Sequence, residues 1–156
     1  MKNWIYLLAA LPLIFCGCNQ EDDINEIFAS GQTWHWSNSY NTSNWENNNE
    51  ASDPLNGEQV RHINQNQNAF NIVFEQDGSV IGNGENFSFT GTWSADGKDH
   101  SFFIKLTTQG TPSGLDKIFY DEISTAKFYR GNSTLLKLFN ADRNHFIQFY
   151  PLGFAD

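Results

Sequence analysis

From Phe70 onward, apolar and polar residues alternate with the two-residue period of a half-buried strand. Phe70, Ile72 and Phe74 alternate with Asn71, Val73 and Glu75, Asp77-Gly78 gives a hairpin turn, and Val80 to Gly82 gives a short return strand. Phe87, Phe89, Gly91 and Trp93 then alternate with Ser88, Thr90 and Thr92, and this is the cleanest strand of the chain. Asp96-Gly97 marks the next turn, and Phe102, Ile104 and Leu106 form the next core face. The period then changes: Leu115, Ile118, Phe119 and Ile123 share one helical face, with Ser113 and Asp116 spaced as a capping box. Strands resume at Ala126 and Phe128, turn at Gly131-Asn132, and end with Leu135 to Phe139 and His145 to Tyr150 around a polar turn. Upstream, Trp34 and Trp36 fall on one side of a strand, and Ile24, Ile27 and Phe28 recur at helical spacing before Gly31. With no βαβ rhythm, the pattern predicts a mainly β fold: a small antiparallel β-barrel or curved meander of about eight strands, with one helix late in the chain.

Residues 37–68 break this regularity. Asparagine and glutamine dominate, and apolar residues thin out to Tyr40, Trp45, Leu55, Val60 and Ile63. The segment reads as a polar, Asn-rich insertion with one short strand around Val60 to Ile63. Long loops of this kind are uncommon and often functional.

The N-terminus carries an address. Lys2 precedes an apolar run from Trp4 to Phe15, shorter than the ~20 residues a spanning helix needs and of the length of a secretory core. Phe15-Cys16-Gly17-Cys18 resembles a bacterial lipobox, which implies cleavage after Gly17 and lipidation of Cys18. Cleavage after Ala10 is the alternative, and it would leave the apolar stub Leu11 to Phe15 on the product. Cys16 and Cys18 are the two cysteines of the chain, so the lipoprotein reading leaves no free thiol and no disulfide. Residues 1–17 are therefore expected to be a lipoprotein signal peptide. Residues 18–31 would be the lipidated cysteine and an acidic tether with room for a short helix, and residues 32–156 one β domain. The acidic run Glu21-Asp22-Asp23 resembles the export signal of surface-displayed lipoproteins, which points to the outer membrane and its outer face.

Composition supports a folded, non-nucleic-acid-binding chain. Aromatic residues make up 15% of 156 residues, led by fourteen Phe, far above what a disordered polar chain carries. Eighteen acids against nine bases give a net charge of −9, which opposes the clustered cations that phosphate backbones require. His35, His62, His100 and His145 form no local zinc motif, and no nucleophile elbow or phosphate loop occurs. Asp121 and Glu122 are adjacent on a helix and cannot face each other as an acid–base pair. No catalytic set, metal site or cofactor is expected. Trp34 and Trp36 are expected in the core. Tyr40 and Trp45, set among amides, are the candidate ligand-binding residues, because sugar C–H faces stack on rings while hydroxyls take amide hydrogen bonds.

The stretch from Phe70 to Tyr150 resembles the META domain of small bacterial envelope proteins. Asp77-Gly78, then Gly84 and Asn86, then Gly91 and Trp93 match its fold motif in order, and Tyr129-Arg130-Gly131-Asn132 matches its helix-to-strand passage. Glu85 stands where that family often has cysteine. A lipocalin-like lipoprotein domain is the competing resemblance, carried by Gly31 and Trp34 and the aromatic meander. Both imply a β-barrel-like module, and neither implies catalysis. The expected function is thus a non-enzymatic, lipid-anchored envelope module that binds a glycan or protein partner or supports envelope integrity. The rivals are capture of a glycan or small apolar molecule, and inhibition of a hydrolase such as lysozyme or a protease.

Overall fold

The computed structural model describes residues 20–47 and 49–153. The signal-peptide reading and Cys18 lie outside them. Eight antiparallel strands run as a meander that closes on itself: β1 (Trp34–Asn41), β2 (Asn71–Phe74), β3 (Ser79–Asn83), β4 (Ser88–Asp96), β5 (Ser101–Gln109), β6 (Phe128–Asn132), β7 (Leu135–Phe139) and β8 (His145–Pro151), with β8 pairing back to β1. This is the mainly β architecture that the alternation predicts. Among the described residues, no helix is long and apolar enough to cross a membrane.

Among the described residues, three helices accompany the barrel, where the sequence pattern predicts a short early one and a late one. α1 (Gln20–Phe28) takes in the acidic run, so the expected tether is helical from Gln20. Its last residue, Phe28, is fully buried. The ring stacks on Phe102 at 5.6 Å between centroids and meets Phe74, Trp93 and Tyr129 at 4.8–5.1 Å. α1 therefore plugs one end of the barrel. α3 (Leu115–Ser124) fills the other: Phe119 is fully buried against Trp36, Phe70, Phe89 and Phe149. The interior of the barrel is thus packed with aromatic rings.

α2 (Gly57–Gln65) replaces the strand expected around Val60 to Ile63. Asn56 caps it: its side chain accepts the Gln59 N–H at 2.8 Å, and the Gln59 side chain accepts the Asn56 N–H at 2.9 Å. This reciprocal pair satisfies two backbone donors at the helix start. Ile63 is buried and points α2 at the barrel. The capping box expected at Ser113 and Asp116 does not form. Gly114 stands at the N-cap of α3 without a side-chain bond, and Asp116 instead binds the β3–β4 turn.

The two helices after β1 and β5 sit where neighbouring strands part. β1 and β2 pair at Trp34↔Ile72 and His35↔Asn71, and β5 and β6 pair at Ser101↔Phe128. The 37–68 insertion is shorter than its composition suggests, because β1 runs on to Asn41. A bulge between Trp36 and Asn38 resets the alternation of β1. After it, Ser39 pairs with inward Ile147 and Tyr40 with outward Phe146. One extra residue moves every later side chain to the other face, so Tyr40 does not join Trp34 and Trp36 in the core.

Candidate functional site

Two outer surfaces hold the chemistry. On the first, cross-strand pairing aligns Phe128, Phe139, Phe146 and Tyr40 in a row over β6, β7, β8 and β1. Phe139 and Phe146 lie 5.0 Å apart, and Tyr40 lies 5.4 Å from Phe146. Trp45 folds down from the insertion onto Phe139 at 5.4 Å and Phe128 at 5.7 Å. The two candidate ligand-binding residues, separate in sequence, therefore stand along one aromatic row. Trp45 is half-buried in it, and its ring also carries the Arg143 and Arg130 guanidiniums at 5.0 and 5.4 Å. Burial pushes the Tyr40 phenol above its ordinary value, against the lowering bond from Asn38 and with help from Glu50 and Asp53. Lys137 is buried beside the row, with its Nζ 4.7 Å from the Phe146 ring centre. Burial pushes its ammonium below the usual lysine value.

The second surface is a groove that runs from β8 and β1, beside the end of α2, across β2, β3 and β4. One hollow of about 280 Å³ is bordered by His35, Ser37, Asn64 and Tyr150. It shares Gln67 and Leu152 with a second hollow of about 540 Å³, floored by Val73 and Ile81 and walled by Asn68, Asn71, Asn83, Ser88 and Thr90. Ile81 is 50% exposed and Leu152 40%, so two apolar side chains lie open within a wall of amides and hydroxyls. Among the described residues, none lining either hollow is Asp, Glu, Lys or Arg. The wall is also braced. Gln67 Nε2 donates to the Asn64 carbonyl at 2.8 Å, Asn71 Nδ2 to the Gln67 carbonyl at 3.0 Å, and Asn83 Nδ2 to the Asn68 carbonyl at 2.9 Å. His35 lies between Asn71 Oδ1 at 2.7 Å and the Ile63 carbonyl at 2.9 Å. These bonds fix the loop after α2, which rigidifies the groove before any ligand arrives.

A domain-of-unknown-function model, DUF4847, matches residues 19–151. The chain belongs to this family. The crystal structure of a DUF4847 family protein from Bacteroides vulgatus ATCC 8482 is similar to it, with 30% sequence identity and a TM-score of 0.68. That similarity covers 81% of this chain and 96% of the other. A comparison with curated proteins finds no match.

The remaining polar groups of this DUF4847 chain read as struts. Asp121 pairs with Lys117 at 2.9 Å on the surface, while Glu122 turns inward, so the two adjacent carboxylates point apart. Glu122 Oε1 accepts from Ser39 Oγ at 2.6 Å, its Oε2 lies 3.1 Å from His145 Nε2, and Trp36 Nε1 donates to Ser39 Oγ at 3.1 Å. The carboxylate lies between serine and histidine. The hydroxyl proton is thus bound to the carboxylate, and the imidazole is not placed to activate the oxygen as a nucleophile. The network ties α3 to β1 and β8. Among the described residues, no group of three or more His, Cys, Asp or Glu is arranged to hold a metal ion. The fold-motif residues serve turns and close approaches. Asp77 accepts from Ser79, Gly78 adopts φ 92°, Trp93 Nε1 donates to the Glu75 carbonyl, and Gly91 lies against the Lys105 backbone. Asn86 gives its N–H to Asp116 beside Gly84. Sequence reasoning missed the groove, whose lining comes from five separate segments. The available signal was the amide-rich run Asn64 to Asn71.

Proposed function

We propose that this protein is a non-enzymatic, lipid-anchored module of the bacterial cell envelope that binds a neutral, hydroxyl-rich ligand, a glycan, in the external groove. The observation that carries this reading is that the described residues lining the groove include no Asp, Glu, Lys or Arg, on a chain with eighteen acids and nine bases. An uncharged wall of amides and hydroxyls matches a ligand whose recognition is hydrogen bonding, and exposed Ile81 and Leu152 offer apolar contact to sugar C–H faces. The aromatic filling of the barrel interior directs binding to the outside. Cys18 would carry the anchor, with the acidic run directing export to the outer face of the outer membrane. Binding there would also serve envelope integrity.

Calorimetric titration with a panel of neutral oligosaccharides tests the ligand class. A saturable signal is expected, weakened at least tenfold by Ile81→Glu, which places a charge on the groove floor at an already exposed position. No heat from any neutral glycan would overturn the reading.

A further inference from the structure

We propose that Arg130 and Arg143, stacked on Trp45, form a second site that receives a phosphate- or sulfate-type oxyanion. The guanidinium carbons lie 5.4 and 5.0 Å from the centre of the same indole ring, and Arg143 also lies 4.9 Å from the centre of Phe128. Stacking orders a guanidinium through its flat face and leaves its N–H donors free in the plane, where they match two oxygens of a tetrahedral anion. Among the described residues, neither arginine enters an ion pair. That is unexpected on a chain with twice as many acids as bases. Glu46 and Asp142, each the chain neighbour of a cluster residue, do not neutralise them within ion-pair distance.

Turn geometry places two members of the cluster. Among the described residues, three that are not glycine adopt positive φ: Phe70, His100 and Arg143. Two of them, His100 at φ 61° and Arg143 at φ 57°, direct their side chains onto Trp45. Both lie in hairpin turns, His100 between β4 and β5 and Arg143 between β7 and β8, and the turn that the Arg143 N–H closes on the Asn140 carbonyl fixes where the arginine side chain leaves the backbone. Trp45 is thus held from below by Phe128 and Phe139, flanked by His100, and covered by two cations. This site is separate from the groove, and its lining is of opposite character.

The test is a titration of the protein with inorganic phosphate and with sulfate at constant ionic strength, followed by the indole N–H resonance of Trp45. Trp45→Phe assigns that resonance. A saturable shift is expected, absent with chloride, and weakened at least tenfold in Arg143→Gln. Gln67→Ala, in the groove, is expected to leave it unchanged, so failure of the groove reading and failure of this one are distinguishable. An identical shift with chloride, or an unchanged phosphate affinity in Arg143→Gln, would overturn the proposal. Cosedimentation with vesicles bearing a phosphomonoester headgroup, competed by inorganic phosphate, would identify a lipid as the source of the anion. A saturable phosphate shift without cosedimentation would identify a soluble or polymer-borne one.

Discussion

The carboxylate of Asp116 accepts the backbone N–H of Glu85 at 2.7 Å, and its second oxygen accepts that of Asn86 at 2.8 Å. Asp116 is buried in the first turn of α3, and the two amides belong to the turn between β3 and β4. One side chain therefore joins the helix plugging the barrel to a hairpin on its rim. The glycine beside the turn follows from this contact: a Cβ on Gly84 would collide with the Asp116 carboxylate and the Phe87 ring.

Replacing Asp116 by alanine removes both acceptors and is expected to cost about 3 kcal/mol, as for hydrogen bonds to a charged group. Asp116→Asn, which keeps one acceptor oxygen, should cost less. Gly84→Ala should also destabilise. In the double variant Gly84→Ala/Asp116→Ala the two costs should add to less than their sum, because the collision partner is gone. Urea denaturation of the four proteins measures this, and strict additivity would refute the contact.

Phe28→Ala should rank among the most damaging single changes, at about 3–5 kcal/mol, the range for emptying a buried aromatic site. Phe28 touches four other aromatic side chains, so the loss leaves a cavity at one end of the barrel. Thermal melting of Phe28→Ala and Phe28→Leu checks it, with the leucine variant expected between alanine and wild type.

Bonds from the Ser79 hydroxyl and N–H hold the Asp77 carboxyl below its ordinary pKa of 3.8. A depressed folded-state pKa contributes stability above the unfolded value, and that stability is lost as pH falls through the folded one. Asp77→Ala should therefore be less stable than wild type at neutral pH. Its deficit should shrink as pH drops below 3.8. Denaturant midpoints of both proteins across that range test the sign, and a deficit that grows in acid would contradict it.

Asn56→Ala should destabilise by about 1 kcal/mol through loss of the α2 cap. Hydrogen exchange should show the first turn of α2 opening more often, with the barrel strands unaffected.

Legibility in the sequence followed the range of the interactions. The strand from Ser88 to Asp96 was readable because Phe89 and Trp93 face the core while Thr90 and Thr92 stay outside, a period that one segment states by itself. Phe28 and Phe119 were readable as helical core positions for the same reason. α2 was not, because Ile63 is its one buried residue and a single apolar position has no period. The spacing of Asn56 and Gln59 was the local signal for it. Asp116 was read as a cap because Ser113 lies three residues before it. Its real partners, Glu85 and Asn86, are about thirty residues away in the chain. The groove was least legible, since its walls meet through barrel closure. Tyr40 and Trp45 were singled out by their surroundings in sequence, but the row joining them needs the register of β7 and β8.

The position of α1 has a mechanical consequence. With the proposed acyl group on Cys18, the anchor would lie two positions before Gln20, the first described residue of α1. One residue of chain spans at most ~3.6 Å, so such an attachment would leave little slack. Tension between the cell surface and whatever the module grips would travel along α1 straight to Phe28. The part of the protein that bears the load would be the same aromatic plug that seals the barrel, and release under force would begin with the loss of its core.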